Sequence, residues 1–112
     1  MSDHDRKSTV LSDAFPLLSQ ELQQLLRDAG ETDLASQVPG LRIVDRCRCG
    51  DDFCASFYTL PKPNGAYGPG HRNVALTPAQ GMLILDVVDD VIAQVEVLYR
   101  TDIRQKLLAV LP

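Results

Sequence analysis

The chain contains 112 residues, of which 45% are hydrophobic and 23% are charged, and its formal net charge is −4. This length suits one domain with a single hydrophobic core and would leave each half of a two-domain protein too small to fold well. Because Asp and Glu outnumber Lys and Arg by 15 to 11, the composition argues against nucleic acid as a partner, since phosphates attract basic proteins.

The start of the chain gives no sign of export. Its first residues are polar, and no apolar run follows of the kind that a secretory signal requires. The most apolar short run, residues 82–85, is far below the ~20 residues needed to span a membrane. We therefore predict a soluble cytoplasmic protein that does not bind membranes, with a disordered segment over residues 1–10 and a single domain over residues 11–112.

Helical periodicity dominates the first third of the chain. A first helix is expected to begin at a Ser12 or Asp13 cap and to end near Gly30. Its apolar side consists of Leu18, Leu22, Leu25, Leu26 and Ala29. A short second helix should follow from a Thr32 cap and stop at Pro39.

After Gly40 the apolar residues alternate with polar ones, as in β-strands. We expect strands over residues 41–47 and 53–60. A four-residue turn between them would set Cys47 opposite Cys54.

The strongest strand signal is a pair of apolar segments, residues 82–88 and 91–99, separated only by two aspartates. A regular hairpin would turn one face, interrupted by Asp86, toward the helices. That face consists of Met82, Ile84, Val88, Val91, Ala93, Val95 and Val97. Glu96 falls on the opposite face, so Asp86 and Glu96 are not expected to form a catalytic carboxylate pair. The opposite face is itself apolar enough that a loop or a second subunit should cover part of it.

A final helix should begin at Thr101 or Asp102 and turn its apolar side toward the domain. The whole pattern predicts an α+β fold, in which N-terminal helices pack on an antiparallel sheet of about five strands and a short helix ends the chain.

Three cysteines lie within eight residues, at Cys47, Cys49 and Cys54. With His71 they supply four ligands of the kind that hold zinc, which binds thiolate and imidazole in a tetrahedral site. The spacing C-x-C-x4-C lacks the paired C-x2-C of common zinc sites, so small buried thiols at the end of a hairpin are the simpler interpretation. A disulfide or a thiol-dependent activity stays open as a third interpretation, although thiols are reduced in the expected compartment.

Residues 61–70 contain three prolines and three glycines and are predicted to form a loop, followed by a strand over residues 71–76. Tyr67, His71 and Arg72 could form a small site for a ligand or a protein partner, since binding groups often lie on irregular loops. The alternative is a plain connector whose glycines permit tight turns.

Arginines alternate along the first predicted strand, at Arg42, Arg46 and Arg48. Charged side chains on a strand commonly protect the edge of a sheet against aggregation. A basic strip for an acidic partner is the alternative.

Three stretches resemble short uncharacterised bacterial proteins of a domain-of-unknown-function type: RCRCGDDFCASFY from residue 46, GPGHRN from residue 68 and VIAQVEVLYR from residue 91. The resemblance covers about the last two thirds of the chain. It implies a bacterial, stand-alone cytoplasmic protein with a Cys-rich strand followed by a β-meander, and it brings no catalytic residue.

No group of residues supplies a nucleophile, a base and an oxyanion site, so an enzyme is not expected. We predict a small non-enzymatic protein-interaction module that binds a protein partner or forms a homodimer. The alternative is a zinc-binding or thiol-dependent protein that uses the three cysteines, with zinc as the one cofactor considered.

Overall fold

The computed structural model describes residues 9–112. It begins with strand β1, Thr9–Val10, which pairs antiparallel with strand β2, Arg42–Ile43. Residues 1–8, which make up most of the segment predicted to be disordered, lie outside the described residues.

The described residues form four α-helices: α1 is Leu11–Ala14, α2 is Pro16–Asp28, α3 is Thr32–Gln37 with a 3-10 turn at Val38–Gly40 after it, and α4 is Thr101–Val110. The first predicted helix is divided at Phe15, whose φ of −133° and ψ of 66° are not helical, because a proline disfavours helical backbone in the residue before it. The predicted caps at Ser12 and Asp13 lie inside α1 instead, and no side chain caps that helix. None of the helices within residues 9–112 is long and apolar enough to cross a membrane.

Most of the chain after residue 44 belongs to a five-stranded antiparallel sheet and the loops that connect its strands. Its order is β3 (Asp45–Arg46), β4 (Phe57–Tyr58), β7 (Val91–Leu98), β6 (Met82–Val88) and β5 (His71–Leu76). The predicted α+β architecture, with N-terminal helices, about five antiparallel strands and a C-terminal helix, is confirmed.

The first predicted hairpin has a different register. The expected strand over residues 41–47 is divided at Val44 into β2 and β3, which belong to different sheets. The Cys47 N–H donates to the carbonyl of Ser56 at 2.8 Å, so Cys47 faces Ser56 rather than Cys54. The prediction was wrong by two residues because the chain needs a wider loop, in which Gly50 adopts a positive φ of 83°.

The second hairpin turns at Asp89 and Asp90, as predicted, and both adopt positive φ, 50° and 66°. Two such residues make the tight turn that fits the twist of paired strands. Val88 pairs with Val91, again as predicted, but the register then shifts.

A β-bulge at Ala93 causes that shift. Val87 pairs with Ile92 whereas Asp86 pairs with Gln94, so Ala93 is an extra residue in β7. Because side chains alternate along a strand, the extra residue places Val95 and Val97 on the same face as Leu83, Leu85 and Val87 of β6 rather than with the predicted Met82 and Ile84.

The predicted face toward the helices was therefore right for Val95 and Val97 but wrong for Met82, Ile84, Val88 and Val91, which lie on the other face. The buried side chains that join the helices in one core are Leu83, Leu85, Val87, Ile92, Val95 and Val97, with Phe57 beside them. The helices contribute Leu18, Leu22 and Leu26 of the predicted stripe, whereas Ala29 is exposed. We call the face away from this core the outer face.

Candidate functional site

The three cysteines converge at the end of the sheet where β3 and β7 lie close to α4. Cys47 follows β3, Cys49 lies in the loop, and Cys54 forms an isolated bridge with Leu98 of β7. Their three Sγ atoms all lie within 4.8 Å of one another, and all three are free thiols. We call these residues the thiol cluster.

Backbone hydrogen bonds explain why the loop brings them together. The Cys54 N–H donates to the carbonyl of Asp51 at 3.3 Å, which closes a turn after Cys49. The Tyr99 N–H donates to the carbonyl of Phe53 at 2.9 Å and fastens this end of the loop to β7.

The surroundings of the thiol cluster combine charge with apolar side chains. A cavity of about 30 Å³ adjoins the thiols, and its other lining residues are Arg46, Gly50, Asp51, Arg104, Leu107 and Leu108. Arg46 is held in place because its Nε donates to the carbonyl of Leu111 at 2.6 Å. The guanidinium groups of Arg46 and Arg104 therefore lie where they can offset negative charge on the cysteine sulfur atoms.

The thiols differ in acidity. Burial raises the pKa of Cys47 to about 11. Burial also opposes ionisation of Cys54, but hydrogen bonds from Ser56, whose Oγ lies 3.4 Å from Sγ, lower the pKa of Cys54 below its usual value. Cys54 is therefore the more readily ionised of these two.

His71 does not belong to this cluster. It begins β5, at the opposite edge of the sheet from β3, and its Nε2 lies 2.8 Å from Oδ1 of Asp86. The structure therefore brings together three of the four residues that the sequence suggested for zinc.

The outer face carries a second polar group, which we call the outer-face network. It consists of Tyr67, His71, Asn73, Asp86, Gln94 and Glu96. Asp86 is only 5% exposed, and its Oδ1 accepts hydrogen bonds from Asn73 Nδ2 at 2.7 Å and pairs with the His71 ring. Asp86 and Glu96 share this face because of the bulge, so the prediction that they lie on opposite faces was wrong.

Titration of Glu96 is strongly altered. A hydrogen bond to Asp86 and then burial raise the pKa of Glu96 to about 7. Burial and the nearby carboxylate of Asp86 raise the pKa of Tyr67 to about 12. Both shifts combine burial with the presence of the neighbouring Asp86 carboxylate.

The structure brings together two of the three residues suggested for a loop site and separates the third, Arg72. The rings of Tyr67 and His71 stack with their centroids 4.8 Å apart. Arg72 instead makes two hydrogen bonds of 3.0 Å to the carboxylate of Glu31, away from the network. Sequence reasoning missed Asp86, Asn73 and Glu96 as neighbours of His71.

Comparisons of the chain with protein-family models, with curated proteins and with solved structures found no match. The resemblance to uncharacterised bacterial proteins stays a prediction.

Proposed function

We propose that the protein binds a transition-metal ion that prefers thiolate ligands, zinc first, through Cys47, Cys49 and Cys54. The observation that carries the proposal is the approach of three sulfur atoms to within 4.8 Å of one another. A tetrahedral zinc ion with bonds of about 2.3 Å holds its sulfur ligands about 3.8 Å apart, so the thiols lie near the spacing that one shared ion requires.

The chemistry of the donors favours zinc over harder ions. Thiolates select zinc and other soft ions, whereas magnesium and calcium prefer oxygen ligands. Three thiolates around a divalent ion leave one net negative charge, which Arg46 and Arg104 at the cavity would offset. Three protein ligands also leave a fourth position for water or for the carboxylate of Asp51, which lines the same cavity.

Simple packing of small thiols accounts less well for the arrangement. Cys49 is exposed, so it gains nothing from burial in a core. A shared ligand explains why an exposed thiol and two half-buried thiols point to one place.

Cobalt substitution tests the proposal. Adding Co²⁺ to the reduced protein should produce thiolate-to-cobalt charge-transfer absorption and the intense visible bands of tetrahedral cobalt, and zinc should abolish both. Cys47→Ser, Cys49→Ser and Cys54→Ser should each weaken binding at least tenfold. Ser36→Cys, which adds a thiol at an exposed helix position away from the cluster, is the matched control and should leave the wild-type spectrum unchanged. A cobalt spectrum typical of octahedral coordination would contradict the proposal, as would a tetrahedral cobalt spectrum that is unchanged in each of the three single serine variants.

We propose self-association as a second candidate function, on the evidence of an exposed aromatic pair. Phe53 and Tyr99 stack at 5.4 Å and are 40% and 62% exposed, and Tyr99 adopts an unfavourable positive φ of 62°. The cleft beside them is lined by Asp52 and Arg104, so the surface carries both charges. In a two-fold dimer, Asp52 of one copy could therefore face Arg104 of the other.

Sedimentation velocity over a wide range of concentrations tests this second candidate. The wild-type protein should form a dimer as its concentration rises, and Tyr99→Ser should remain monomeric. A wild-type protein that stays monomeric at millimolar concentration would contradict it, and metal binding would be unaffected by that result.

A further inference from the structure

The loop over residues 61–70 contacts the outer-face network through Tyr67. The Tyr67 hydroxyl donates to Oε1 of Gln94 at 3.0 Å, and its ring stacks on His71. These contacts place a half-buried aromatic ring beside the polar groups that surround Asp86. Opening of the loop would therefore let water reach this part of the sheet.

Asp86 has an unusual set of partners. Its Oδ1 is paired with His71 and Asn73, whereas its buried Oδ2 has no hydrogen-bond partner within residues 9–112. A buried carboxylate oxygen without a donor is costly. Glu96 lies on the neighbouring strand and the same face, so its carboxyl group can supply that donor once it carries a proton.

We propose that the outer-face network is a proton-dependent latch, in which one proton shared by Asp86 and Glu96 holds the loop over residues 61–70 on the sheet, and loss of that proton releases Tyr67. The latch is a property of the outer face and does not depend on the proposed metal site.

The charges that face this point explain the direction of the change. The titratable groups are His71 from β5, Asp86 from β6, Glu96 from β7, Tyr58 from β4 and Tyr67 from the loop. His71 alone among these can become positive, and it can balance only one of two carboxylates. With both carboxylates ionised and His71 neutral, two negative charges share a poorly hydrated site.

Opening of the loop relieves this charge because it restores water around the carboxylates. Glu96 gains a proton more readily in the folded protein than in the unfolded chain, with a folded pKa of about 7. The closed loop is therefore favoured below neutral pH and is lost as the pH rises through about 7.

Backbone dynamics of the whole chain test the proposal. Heteronuclear NOE values for the amides of residues 64–68 should be those of ordered backbone at about pH 6 and should fall clearly at about pH 8, on either side of the pKa of about 7 for Glu96. Glu96→Gln replaces the acid with an amide that can always donate to Asp86, so its loop should stay ordered at both pH values.

Asp13→Asn is the matched control, because it removes a carboxylate from an exposed position in α1, and it should follow the wild type. If the wild-type loop has the same NOE values at both pH values, or if Glu96→Gln loosens with pH as the wild type does, the latch is refuted. The wild-type comparison stands by itself should the variant fail to fold.

Discussion

The guanidinium of Arg46 joins the last turn of α4 to the edge strand β3, through a hydrogen bond of 2.6 Å from Nε to the carbonyl oxygen of Leu111. Carbonyls at the end of a helix lack donors within the helix, so this contact stabilises a position that would otherwise fray. It also fixes one wall of the cavity beside the thiol cluster.

Arg46→Ala should therefore lower the free energy of unfolding by about 1.5–3 kcal/mol, the usual contribution of a hydrogen bond to a charged group. Urea unfolding followed by circular dichroism measures it. Arg48→Ala is the control, because its pair with Asp45 is about half exposed and should contribute less than about 1 kcal/mol. Equal losses in the two variants would argue against a specific role for Arg46.

Gln37 connects α3 to the turn between β6 and β7. Its Nε2 donates to the carbonyl of Asp90 at 2.6 Å, and its Oε1 accepts the N–H of Ile92 at 3.0 Å. Gln37→Ala should cost about 1–2 kcal/mol, because the Ile92 N–H loses its partner in a partly buried position. Gln24→Ala, which removes an exposed contact with Asp28 on α2, should cost less, and the same urea assay compares them. A Gln37→Ala protein as stable as the wild type would show that the link is not needed.

Deletion of Ala93 should destabilise the protein by several kcal/mol. Without the extra residue, β7 beyond it would turn over and place the fully buried Val95 and Val97 on the outer face. Ala93→Gly keeps the bulge and should cost only about 0.5–1 kcal/mol. Thermal unfolding distinguishes the two variants. A deletion variant with the same melting temperature as Ala93→Gly would contradict the register of β6 and β7 that the bulge at Ala93 sets.

Glu96 should make the stability of the protein fall as the pH rises through neutrality. Its pKa is raised from 4.5 to about 7 on folding, so its favourable contribution is complete below about pH 4.5 and is lost as the pH passes about 7. Glu96→Gln cannot lose a proton. Its melting temperature should therefore exceed that of the wild type at about pH 8 and approach it at about pH 4. If the wild-type and Glu96→Gln proteins instead differ in melting temperature by the same amount at every pH, the stability of the protein is not linked to the titration of Glu96.

The sequence allowed prediction of α2, α3, α4, the three long strands β5, β6 and β7 and the tight turn at Asp89 and Asp90, because each rests on a local pattern. The bulge was missed, although a signal for it exists. Gln94 and Glu96 mark the even-numbered residues of β7 as polar, and Asp86 does the same for β6. A hairpin with a regular two-residue turn at Asp89 and Asp90 pairs even-numbered residues of one strand with odd-numbered residues of the other. Placing Asp86, Gln94 and Glu96 on one face therefore requires an extra residue between the turn and Gln94.

The convergence of the thiols was only partly predictable. Spacing placed Cys47, Cys49 and Cys54 near one turn, but the width of that loop depends on the bridge between Cys54 and Leu98, which is a long-range contact. His71 looked like a fourth ligand because its position in the sheet depends on the strand order, which no local pattern encodes.

Native mass spectrometry of the protein, purified under reducing conditions without chelator, tests metal binding most directly. Under gentle ionisation the intact chain should carry the mass of one zinc ion less the protons that it displaces, and a Cys47→Ser/Cys54→Ser double variant should carry none. A wild-type chain that shows only its metal-free mass after equilibration with equimolar zinc, with three reactive thiols per molecule, would contradict the proposed site.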